Sequence, residues 1–158
     1  MNLRGAKPVV DYSIQAFIEH LSPTVDLYNE NIQQEFVDQF YKWITSSKLN
    51  NVQGLDDFTN RKIVSGTAQA FDHWYWRHKD KRFRFCRGEF MYHSAVLKHG
   101  GSWEYIDADS LQEGDAFILS VPFSDWGRQH DSMRDYLDAC NRLNIPVLLD
   151  FAYYPCTK

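Results

Sequence analysis

Two apolar runs, Ala116-Phe117-Ile118-Leu119-Ser120-Val121 and Pro146-Val147-Leu148-Leu149-Asp150-Phe151, constrain this chain more than any other feature. Neither alternates polar with apolar residues, so each reads as a strand covered on both faces, as in a parallel sheet. Between them Met133, Tyr136, Leu137, Cys140 and Leu143 recur at helical spacing across 129–143. Strand, helix and strand within about 36 residues is the length of a βαβ unit. The expected class is therefore α/β.

The same grammar extends upstream. Arg61-Lys62-Ile63-Val64 is a short β-prone run that halts at Ser65-Gly66-Thr67, and 68–78 resumes helical spacing through Ala70, Phe71, Trp74 and Tyr75. Phe83-Arg84-Phe85-Cys86 alternates like a strand, 90–99 reads as helix closed by Gly100-Gly101, and Trp103-Glu104-Tyr105-Ile106 is a further strand. Nearer the start, Ser13 caps a short helix across 13–20. Ile32, Phe36, Val37, Phe40, Tyr41 and Ile44 mark an amphipathic helix of roughly four turns. Asn50-Asn51 and Gly54 end it, so an N-terminal helical arm is expected over 1–54 and an α/β region over 55–158.

Length and charge narrow the function classes. A chain of 158 residues buries one proper core, which excludes a disulfide-stapled mini-protein. Seventeen Lys and Arg against 21 Asp and Glu, a net of −4, weigh against a dedicated nucleic-acid binder. Cys86, Cys140 and Cys156 form no CxxC pair and read as reduced thiols. No segment has the apolar length of a membrane span and the first residues lack a signal-type apolar block, so a cytoplasmic protein is expected.

Three features could carry chemistry. Asp150 ends an apolar strand, where a carboxylate is costly without a partner and where open parallel sheets bind ligands, although it could equally cap a turn. Ser65-Gly66-Thr67 opens a helix and could cradle a phosphate between backbone N–H groups and hydroxyls, or be a plain capped turn. Arg77, Lys79, Lys81, Arg82, Arg84 and Arg87 interleave with Phe83 and Phe85. That pattern suits single-stranded nucleic acid, or a solvated helix end followed by an edge strand. The histidines lack metal-pair spacing, so no metal site is expected.

Read together, these segments resemble the large domain of the fold-type-I pyridoxal-phosphate enzymes, the aspartate aminotransferase superfamily. Ser65-Gly66-Thr67-Ala68-Gln69-Ala70 looks like that family's phosphate-gripping turn. Asp150-Phe151-Ala152-Tyr153, preceded by Asn144-Ile145-Pro146-Val147-Leu148-Leu149, looks like its D-x-A-Y segment, and the run from Phe117 to Gly127 takes the place of its strand and N-P-x-N-P-T-G loop. The resemblance covers roughly 55–156 and implies a three-layer α/β/α fold with a mostly parallel sheet. It further implies that Asp150 bonds the pyridine nitrogen, that Tyr153 and Ser124 lie at the ring oxygen, that Gly66, Thr67 and Ala68 hold the phosphate, and that Phe90, with Tyr92 the other aromatic candidate, stacks on the ring. Pyridoxal 5'-phosphate is then the implied cofactor and an amino acid or keto acid the implied substrate of a homodimeric parent.

The sequence departs from the family's pattern at three places. Ser124 stands where the family usually has Asn, and Asp125-Trp126 replaces Pro-Thr. The family's Schiff-base lysine follows D-x-A-Y by about thirty residues, whereas Lys158 lies eight residues past Asp150 and reads as a solvated terminal lysine. The family's substrate-carboxylate arginine, from its C-terminal domain, has no counterpart. The expectation is thus an arm, 1–54, and the first half of the cofactor-binding domain, 55–158. Amino-group transfer through an internal aldimine would belong to a longer parent, and this chain alone would carry no catalytic residue. Two alternatives keep the same layout: a non-catalytic α/β interaction module whose aromatic helix and basic stretch face a partner, and a phosphate- or nucleotide-binding domain that uses 65–67 alone.

Overall fold

A computed structural model of the chain describes residues 30–46, 48, 51–107 and 109–154. The helix expected across 13–20, Cys156 and Lys158 lie outside them. The chain divides into two compact units after Ile63. In the first, α1 (Glu30–Ser46) carries the expected periodicity and is followed by a 3₁₀ turn, Leu55–Asp57. Tyr41 of α1 donates to the Asp56 carboxylate, and the Arg61 guanidinium lies 3.4 Å above the Tyr41 ring. These two contacts tie Asp56 and Arg61 to α1. Residues 61–64 are exposed and form no strand. Their β propensity has no described strand in that unit to pair with.

The second unit builds the α/β fold. In chain order it runs α2 (Thr67–Arg77), β1 (Arg82–Phe85), α3 (Met91–Leu97), β2 (Trp103–Tyr105), β3 (Asp115–Ser120), α4 (Met133–Arg142) and β4 (Val147–Asp150). Every strand pair is parallel and the sheet order is β2-β1-β3-β4. β3 is buried along its whole length, as its unbroken apolar run requires. β4 stands at the edge of the described sheet and is only half-buried. α4 starts later than its periodicity suggests, because the Ser132 amide donates to His130 Nδ1 and holds 130–132 as a turn.

Strand alternation sorts the core into two layers. Phe83, Phe85, Ala116 and Ile118 turn to one face and pack on Phe71 and Tyr75 of α2 and Leu97 of α3. Phe117 and Leu119 turn to the other face, where Cys140 of α4 and Ile145 cover them. Helices thus lie on both faces of a parallel sheet. Each fully buried phenylalanine contributes about 1.5–3 kcal/mol relative to an exposed one, so Phe83, Phe85, Phe117 and Phe123 dominate the core.

β1 is an interior strand, not the edge strand anticipated for the basic stretch. Alternation therefore drives Arg84 inward, where solvent does not reach it. Its guanidinium meets Asp115 at 3.1 Å and donates to the carbonyls of Tyr105 at 3.2 Å and Asp109 at 2.7 Å. Arg82 adds a 2.8 Å bond to Asp115. Two cations of the stretch are thereby engaged in fastening Asp109 and Asp115 to the sheet. Among the described residues no helix is long and apolar enough to cross a membrane.

Candidate functional site

In this strand order β1 connects outward to β2 through α3, while β3 connects the opposite way to β4 through α4. The carboxyl ends of β1 and β3 therefore flank a topological switch point, the place where open parallel sheets leave a crevice for ligands. Two loops enter it, 86–90 after β1 and 121–132 after β3. They approach closely: Gly88 has φ +86°, and a Cβ there would lie 2.8 Å from Asp125 Cβ. The Val121–Pro122 peptide between β3 and its loop is cis.

Glu89 spans the switch point. Its Oε2 accepts the Ser120 amide at 2.8 Å, and its Oε1 accepts the Phe90 amide at 2.8 Å, the Ser120 hydroxyl at 2.5 Å and the Ser124 hydroxyl at 3.0 Å. The side chain is buried without a cation among the described residues, and four donors replace its hydration. Sequence reading passed over this residue. Its place, four residues past β1, carries no local signal comparable to that of Asp150 at the end of β4.

The Glu89 knot gathers three of the expected site residues. Phe90 caps the start of α3, is 37% exposed and stacks on Tyr92 with ring centroids 6.1 Å apart. Ser124 is fixed by its bond to Glu89. Asp150 is the register partner of Ser120, and its carbonyl accepts the Val121 amide at 2.8 Å. The Asp150 carboxyl accepts the Ala152 amide at 2.9 Å and forms no ion pair among the described residues. Burial pushes its pKa above the ordinary carboxylate range and the Glu89 charge adds to this, while the Ala152 bond opposes it. The loop-cap reading of Asp150 is thus true of one oxygen, and the carboxyl as a whole still lacks a counter-charge.

The phosphate-turn residues sit at the beginning of α2. Phe71, one turn in, meets the His93 ring at 4.7 Å, and His93 follows Phe90 on α3, which places the start of α2 near the same end of the sheet. Gly66 is the N-cap with φ +112°, a conformation that favours glycine. The Ser65 amide donates to Gln69 Oε1 at 2.7 Å, yet no side chain caps the helix. Among the described residues the Ser65 and Thr67 hydroxyls make no hydrogen bond, and Gly66, Thr67 and Ala68 are exposed. Tyr153 is 43% exposed just beyond β4 and is not tied into the Glu89 cluster.

His93 is the second residue that sequence reading left among default histidines. It is fully buried, with Nδ1 2.6 Å from the Tyr75 hydroxyl and Nε2 without a hydrogen-bond partner among the described residues. Burial lowers its pKa to about 4, against the opposing pull of Glu89, so the ring is neutral at pH 7. Burial raises the Tyr75 hydroxyl well above its ordinary range, with Tyr92, Asp72 and Asp150 adding to it. Among the described residues no group of three His, Cys, Asp or Glu side chains is placed to hold a metal. Compared with family models, curated proteins and solved structures, the chain matches none.

Proposed function

We propose that these residues form the ring- and phosphate-holding part of a pyridoxal-phosphate-dependent, aminotransferase-like protein. The observation that carries the reading is the convergence of Phe90, Ser124 and Asp150 around Glu89 at the strands' carboxyl ends, with the uncapped start of α2 near the same end. Asp150 fits the group because it is a partly buried carboxyl in need of a cation, and a protonated pyridine nitrogen is one. The Ser65 and Thr67 hydroxyls and the Gly66, Thr67 and Ala68 amides at the start of α2 fit a phosphate. When bound, the cofactor supplies an electron sink. In this chain Asp150 holds the ring nitrogen's proton, Phe90 covers a ring face, Ser124 meets the ring oxygen and Gly66, Thr67 and Ala68 orient the phosphate. Amino-group transfer between amino and keto acids, and a homodimer, are proposed only for a longer parent, since no Schiff-base lysine stands at the family's spacing within these residues.

4-Deoxypyridoxine 5'-phosphate, which has no aldehyde to react with surface lysines, tests this by calorimetry on the 158-residue chain. Asp150→Ala should weaken its binding about ten-fold or more while leaving inorganic phosphate binding unchanged, and Thr67→Ala should weaken both. Equal loss of both ligands in Asp150→Ala, or adenine nucleotides binding more tightly, would favour a general phosphate-binding domain. The non-catalytic interaction module has one observation in its favour, the 77% exposure of Trp76 on α2. It predicts that neither phosphate nor the pyridoxine probe binds.

A further inference from the structure

We infer that Glu89 sets the hydrogen-bond polarity of this site, so that Ser124 offers a ligand lone pairs and no proton. The inference rests on the pyridoxal-phosphate reading and deepens it, by naming the protonation state of the ring oxygen that the site selects.

The Phe90 and Ser120 amides can only donate, the first to Oε1 and the second to Oε2, at 2.8 Å each. As a carboxylate Glu89 is acceptor-only, so the Ser120 and Ser124 hydroxyls, at 2.5 and 3.0 Å from Oε1, must give it their protons. A serine hydroxyl has one proton. With that proton directed to Glu89, the Ser124 oxygen keeps only acceptor capacity toward the crevice.

An asparagine amide at the same position would present its N–H to the ring oxygen and favour the ionised form. Ser124 held by Glu89 does the reverse: it accepts from a ring hydroxyl and repels an ionised oxygen. Asp150 acts at the other side of the ring with compatible polarity, since a carboxylate there accepts the ring N–H. The site thus binds a hydroxypyridine that carries protons on both oxygen and nitrogen. Glu89 is a positioning residue in this scheme; it acts through Ser124.

The ring hydroxyl of 4-deoxypyridoxine 5'-phosphate absorbs differently when protonated and when ionised, so the spectrum of the bound probe reports where the proton is. Binding to the wild-type chain should raise the midpoint of that titration by about one pH unit or more relative to free probe, a ten-fold preference for the hydroxyl form. Ser124→Ala should abolish the rise without disturbing the fold. In Glu89→Ala the Ser124 hydroxyl loses its acceptor and can turn its proton to the ring, so the midpoint should fall below that of the wild-type complex. Far-ultraviolet circular dichroism checks that variant's folding, and Ser124→Ala alone decides the matter if Glu89→Ala does not fold. A bound probe whose midpoint equals or lies below that of the free probe overturns the polarity inference while leaving the binding site intact. Absence of any probe binding overturns the proposed function, and this inference with it.

Discussion

Arg84 Nη1 stands 3.1 Å from Asp115 Oδ2 between neighbouring strands, and solvent reaches almost none of either side chain. Breaking such a pair strands a charge, which typically costs about 3–5 kcal/mol. The two partners are not equivalent. Asp115 keeps Arg82 and the Gln112 amide when Arg84 is removed. Arg84→Met should therefore destabilise less than Asp115→Ala, which removes the acceptor shared by Arg82, Arg84 and the Gln112 amide and leaves the buried Arg84 guanidinium to Asp109 and the Tyr105 carbonyl. Urea unfolding should give Asp115→Ala a loss in that range. The double variant should lose less than the two single losses added together.

Gly88 holds the two switch-point loops at close approach. Gly88→Ala meets both a positive φ and the Asp125 side chain, whereas Gly114→Ala, at φ +91°, meets the backbone cost alone because nothing lies within 4 Å. Gly114→Ala should cost about 1 kcal/mol. Gly88→Ala should cost about 1–2 kcal/mol more. It should also shift the fluorescence of Trp126, which stacks on His130 in the same loop. Equal losses at the two glycines would mean that the loop contact carries no energy.

The central strand was legible because Ala116 to Leu119 of β3 are sealed on both faces and have to be apolar. β1 was legible for a different reason, the alternation of Arg82, Phe83, Arg84 and Phe85. The position of β1 within the sheet could not be read, because Arg84 looks like a solvated residue until its partners, 25 and 31 residues away, are in place. The 61–64 run misled because β propensity expresses itself only beside another strand. Asp150 drew attention from its place at the end of an apolar strand, and Ser124 and Phe90 entered only through the family resemblance. Glu89 joins them through contacts 31 and 35 residues distant, which no local pattern encodes.

His93 makes stability pH-dependent. Its folded pKa of about 4 lies below the unfolded value of about 6.5, so the unfolded chain binds the proton first as pH falls. Its contribution is intact above pH 6.5 and is lost progressively between there and about 4. The loss amounts to roughly 3 kcal/mol at 1.36 kcal/mol per pH unit. Unfolding free energies measured from pH 7.5 to 4 should fall by that order. In His93→Gln, which has no imidazole to charge, the curve should be flatter over the same interval. A wild-type curve as flat as the variant's would contradict the burial argument.

Asp150 works in the opposite direction, because burial raises its folded pKa above the unfolded value. The folded chain then holds the proton more tightly, so ionised Asp150 lowers stability at neutral pH, and the penalty disappears as pH falls through the carboxylate range. Asp150→Asn keeps an oxygen for the Ala152 amide, now 2.9 Å from Oδ1, and removes the charge. The variant should therefore melt above the wild type at pH 7, with the gap closing toward pH 4. It should also bind 4-deoxypyridoxine 5'-phosphate more weakly. Greater stability with weaker binding from one substitution is the signature of a carboxylate kept for a ligand, since a loop cap would lose stability or be indifferent. A variant less stable at pH 7 and unchanged in ligand affinity would return Asp150 to the role of turn cap.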